Sequence, residues 1–150
     1  MYFIFILIIL LIIWYYSEFN TKTVANFNVH NQFDPYSSAA VLKEINERIL
    51  RLQNYMKRKY LIESTNTGYE EFQMDERTKQ FIRNYNANSL HEISPHNIFG
   101  STSFTENKGK KIVFCLRDKQ GNLHDINTLM FVALHEVTHV MNDRWGHEQY

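Results

Sequence analysis

The stretch "LMFVALHEVTHVMNDRWGHEQY", residues 129–150, decides how the rest of the chain is read. His135, Glu136 and His139 spell H-E-x-x-H within it. On a helix, positions four apart lie about one turn from each other on the same face, so both imidazoles can reach one ion while Glu136 falls beside them. From there the carboxylate can take a proton from a metal-activated water without occupying a coordination position. Zinc is the expected ion, because two imidazoles suit it and a catalytic zinc keeps three protein ligands and an open fourth position. Apolar neighbours, among them Leu129, Phe131, Val132, Leu134, Val137 and Val140, predict that this helix is buried. Unpaired polar groups would be costly there, and a metal removes that difficulty.

His147 is the expected third ligand. Gly146 before it permits a sharp change of direction, and Asn142-Asp143 can end the helix in time. Asp143, Glu148 and His124 are the alternatives within the chain, and a ligand beyond Tyr150 is another.

Upstream of this helix, "TSFT" (102–105), "ENKG" (106–109) and "KKIVFCLR" (110–117) read as two strands joined by a short turn. The run of Ile112, Val113, Phe114 and Cys115 suits burial on both faces. Asp125 then caps the metal-motif helix. Cys115 is the only cysteine, which excludes an intrachain disulfide, and its apolar surroundings favour a structural thiol over a nucleophile.

Towards the N-terminus, Asp34-Pro35 is a helix start, and Leu42, Ile45, Ile49, Leu52 and Met56 form one apolar stripe on a helix ending near Tyr60. A second helix is expected over 70–85, with Phe72, Phe81, Ile82 and Tyr85 inward. Residues 86–101 read as a loop whose His91 and His96 are ordinary surface or loop histidines. Residues 17–33, rich in asparagine and threonine, read as a polar linker.

Residues 1–16, "MYFIFILIILLIIWYY", carry no charge. As a helix they would extend roughly 24 Å, somewhat short of a hydrocarbon core of about 30 Å. With no basic residue before them and no small residues at a cleavage position, a retained membrane anchor is expected rather than a signal peptide, with Trp14, Tyr15 and Tyr16 at the interface. Lysine plus arginine equal aspartate plus glutamate at 16 each, so no net field draws the chain to nucleic acid. The oligomeric state is not encoded in any feature of the sequence.

Together, the strand "KKIVFCLR", the turn after it, the "LHEVTHVM" helix and the following "GHEQY" resemble the zincin metallopeptidases of the WLM and SprT-like kind. The resemblance is strongest to small membrane-anchored metallopeptidase-like proteins of large DNA viruses. It covers residues 101–150 and implies that His135, His139 and His147 hold zinc and that Glu136 is the catalytic base. It also implies an extended peptide substrate lying along 111–116 as on a sheet edge. The chain departs from the WLM pattern in a longer gap between His139 and His147 and in lacking a helix after the third ligand.

The expectation is therefore an α+β, zincin-like fold: an N-terminal hydrophobic helix (1–16), a linker (17–33), and a domain (34–150) of two helices, a short β-hairpin and a buried H-E-x-x-H helix. The expected function is zinc-dependent hydrolysis of peptide bonds in a peptide or protein substrate, at a membrane. A non-catalytic, zinc-stabilised structural membrane or virion protein is the first alternative. A DNA-protein-crosslink protease, known among WLM and SprT-like relatives, is the second.

Overall fold

The structure, a computed structural model, describes residues 2–66, 76–96 and 102–142. Helix α1 (Tyr2–Phe19) is followed by strands β1 (Thr21–Val24) and β2 (Phe27–His30). Ala25 and Asn26 between them both have positive φ, 49° and 72°. That is the backbone of a tight two-residue hairpin turn, whose twist matches that of the paired strands. Phe27 and Val29 alternate inward from β2 and are buried, so the asparagine-rich stretch expected to be a linker is part of the sheet.

Helix α2 (Pro35–Asn66) starts where Asp34-Pro35 predicts. The Asp34 carboxylate accepts from the Tyr36 N–H at 3.0 Å, and the Asp34 carbonyl from the Ser38 N–H. Leu42, Ile45 and Ile49 are buried, with Leu52 and Met56 packed against the same core. Helix α3 (Glu76–Asn84) brings Phe81 into that core, and Tyr85 follows it. Phe72 lies outside the described residues.

Residues expected to form a loop contain strand β3 (Leu90–Glu92). Strands β4 (Phe104–Glu106) and β5 (Lys111–Phe114) form the expected hairpin, with Thr105 opposite Ile112. The strand order is β1-β2-β3-β5-β4. The outer pairs are antiparallel, while β2–β3 and β3–β5 are parallel. Helix α4 (Ile126–Met141) begins at the Asp125 cap, whose carboxylate accepts from the N–H groups of Asn127 and Thr128.

This is a small α+β fold with four helices and a mixed five-stranded sheet among the described residues. It corrects the zincin-like expectation of two helices, a short hairpin and a buried H-E-x-x-H helix. The sheet recruits β1, β2 and β3 from segments whose polar residues disguise them. Helix α4 buries only one side, carried by Leu129, Ala133, Glu136, Val137 and Val140, and leaves Phe131 77% exposed and Leu134 46% exposed. Among the described residues, no group of three or more His, Cys, Asp or Glu side chains is placed to hold a metal ion.

The N-terminal segment is helical, with exposed apolar side chains from Tyr2 to Ile13. Among the described residues no helix is long and apolar enough to cross a membrane.

Candidate functional site

One side of α4 faces the hairpin β4–β5, and between them lies a cavity of about 850 Å³. Its walls come from 102–105, Asn107 and Lys108 on the hairpin side and from Leu129, Phe131, Val132, His135, Glu136 and His139 on α4. Cys115 and His124 contribute from the segment that joins them.

Helical spacing carries His135 and His139 to the same side of α4, as the motif requires. Their Nε2 atoms are 3.3 Å apart and the rings are nearly perpendicular, at 86°. Two imidazoles can share a proton at this separation. Two nitrogens bound at about 2.0–2.1 Å to one tetrahedral ion would likewise stand about 3.3–3.4 Å apart, so the pair fits half of a zinc ligand set. His135 is exposed and His139 half-buried. Burial therefore does not make a metal necessary for the two histidines, and of the three motif side chains only Glu136 is buried.

Glu136 is 4% exposed. Its Oε2 accepts a 2.7 Å hydrogen bond from the Thr105 hydroxyl, which also lies 3.4 Å from the Glu136 carbonyl oxygen. Thr105 is absent from the sequence-based set of site residues. It lies 31 positions from Glu136, and nothing in the local pattern of "TSFT" marks one threonine as a partner for the motif.

The expected third ligand, His147, lies outside the described residues, as do the alternatives Asp143 and Glu148. His124 lines the same cavity but forms no three-membered metal-binding group with the histidine pair. Of the two histidines read as ordinary, His91 is on β3, with its Nδ1 3.2 Å from Asn28 Nδ2, and burial beside Lys111 pushes its pKa below the usual value. His96 is exposed.

Cys115 is a structural thiol. It is buried, its Sγ donates to the Arg117 carbonyl at 3.3 Å, and burial pushes its pKa up, away from the thiolate.

The expected substrate edge also changes. Strand β5 (Lys111–Phe114) is paired on both sides, by β3 and β4, so it is a central strand and offers no sheet edge for a peptide. The terminal strand on this side of the sheet is β4, and its Phe104 and Thr105 line the cavity.

Two viral proteins are similar to this chain. An uncharacterized protein of Acanthamoeba polyphaga mimivirus is 34% identical over 130 residues, which is 85% of this chain and 60% of that protein. An uncharacterized protein of Invertebrate iridescent virus 6 is 49% identical over 53 residues, 33% of this chain and 29% of that protein. The chain thus spans about three fifths of the first relative and under a third of the second. No protein-family model and no solved structure matches it.

Proposed function

We propose that this chain is a zinc-dependent peptidase. The observation that carries the reading is the His135–His139 pair at 3.3 Å, set beside a buried Glu136 in the wall of an open cavity. His135 and His139 would hold the ion, and His147 is the proposed third ligand. Zinc, when bound, supplies Lewis acidity that polarises a peptide carbonyl and raises the acidity of water.

The chain's own residues do the rest. Glu136 accepts the proton of the attacking water and returns it to the leaving amine, so the carboxylate is regenerated after each turnover. An extended peptide adds as a further strand to the outer edge of β4, with its side chains alternately entering the cavity and facing water. The apolar surfaces of Phe104, Leu129, Phe131 and Val132 exclude water from one side of the scissile bond.

The reading includes attachment to lipid through α1, supported by its uncovered apolar side chains from Tyr2 to Ile13. Co-flotation of the full chain with phospholipid vesicles tests that attachment.

The decisive experiment pairs zinc content with hydrolysis of fluorescein-labelled casein for the wild type and Glu136→Gln. The variant retains zinc and loses roughly 10²- to 10⁴-fold in kcat, the usual contribution of a general base. Undiminished turnover in a zinc-loaded Glu136→Gln chain would exclude the mechanism.

A further inference from the structure

We infer that Thr105 is the positioning residue for Glu136: its hydroxyl holds one carboxylate oxygen against β4 and leaves the other to face the cavity. The inference rests on the hydrolytic reading above. Thr105 donates to Oε2 at 2.7 Å, short enough for a charge-assisted hydrogen bond. Among the described residues it is the one hydrogen-bond donor to that carboxylate. Glu136 and Thr105 both line the cavity, and with Oε2 engaged by Thr105 it is Oε1 that is left to accept from a reacting water.

The donor stands on a stiff mount. Thr105 sits in the middle of β4, opposite Ile112, itself buried in the core. A β-branched side chain in a strand has restricted χ1, which aims the hydroxyl across to α4. A buried glutamate without such a partner has two further torsions free to turn the carboxylate away, and misplacement by about 1 Å can cost roughly 10²-fold in rate. Thr105 also belongs to the strand whose outer edge would carry the peptide. The base and the docked backbone are therefore registered by one residue.

The test compares Thr105→Val and Thr105→Ala, which remove the hydroxyl, with Thr105→Ser, which keeps it. NMR of the full chain in detergent micelles without metal reads the Glu136 side-chain rotamer from its methylene couplings. In the wild type and Thr105→Ser the rotamer is single, and in both hydroxyl-free variants it is averaged. With zinc added and labelled casein as probe, the hydroxyl-free variants lose roughly ten- to a hundredfold in kcat with KM unchanged, and serine restores most of it. A Glu136 that stays fixed in both hydroxyl-free variants overturns the positioning role. A wild type that holds Glu136 fixed yet leaves casein uncut overturns the hydrolytic reading instead.

Discussion

Arg117 Nε lies 3.7 Å from Glu92 Oε1, with the side chains 7% and 1% exposed. Glu92 also accepts from the His30 N–H and the Ser38 hydroxyl, and Arg117 donates to the Gly121 and Asp34 carbonyls. One ion pair thereby ties β2, β3, the start of α2 and the segment that follows β5. Burial holds the Glu92 pKa above its ordinary value of 4.5, although His30, Ser38 and the Arg117 charge oppose the shift. A carboxyl with a raised folded-state value favours the folded chain when protonated, so its contribution is full below 4.5 and falls as pH rises through the raised value. Arg117→Met removes one opposing influence. We expect it to cost roughly 3–5 kcal/mol above that range and to steepen the fall with pH, as read from urea midpoints measured across pH.

Zinc content separates the ligand candidates. Elemental analysis of the full chain is expected to give one zinc in the wild type and little in His135→Ala, His139→Ala or His147→Ala, while His124→Ala retains it. Loss from His124→Ala with retention in His147→Ala would transfer the third position to the segment before α4. Treatment with a chelator should abolish casein cleavage, and added zinc should restore it.

Phe131 is an exposed aromatic side chain on the cavity wall, so its removal should touch binding and spare stability. Phe131→Ala is expected to change unfolding free energy by no more than about 0.5 kcal/mol. The same substitution should raise KM several-fold for peptides bearing large apolar side chains and leave kcat alone. Equal KM values for wild type and variant across apolar and polar peptides would separate Phe131 from substrate contact.

A chain beginning at residue 34 discards β1 and β2, with Phe27 and Val29 from the core. It is expected not to fold cooperatively, whereas a chain beginning at Asn20 should. Within the full chain, Phe27→Ala is expected to cost roughly 3–5 kcal/mol, the usual range for emptying a buried phenylalanine site. Thermal or urea unfolding followed by circular dichroism checks all three.

How legible each element was follows from whether its signal is local. Asp34-Pro35, the stripe Leu42, Ile45, Ile49, the Asn107–Gly109 bend and the Asp125 cap each express themselves within a few residues, and the structure has them where the sequence predicts. Strands β2 and β3 are four and three residues long, interrupted by asparagine and histidine, and gain their place only by pairing with distant partners. The exposed flank of α4 is not legible in the sequence, because a run of apolar residues does not say how many sides of a helix are covered. The histidine pair was readable from spacing alone, since helix geometry carries it. Thr105 was not, because the contact that gives it a role crosses from strand to helix.

The pairing of β2 with β3 joins Asn28 to His91, 63 positions later in the chain. Strand β5 must then enter between β3 and β4, so the last central strand is also among the last to be synthesised. During translation β1 and β2 can form only a lone hairpin, which is marginal in water without a third strand. Closure of the sheet waits until residue 114 has left the ribosome, and non-local pairing of this kind folds slowly. For that interval the core that buries Phe27 and Val29 still lacks Ile112 and Phe114.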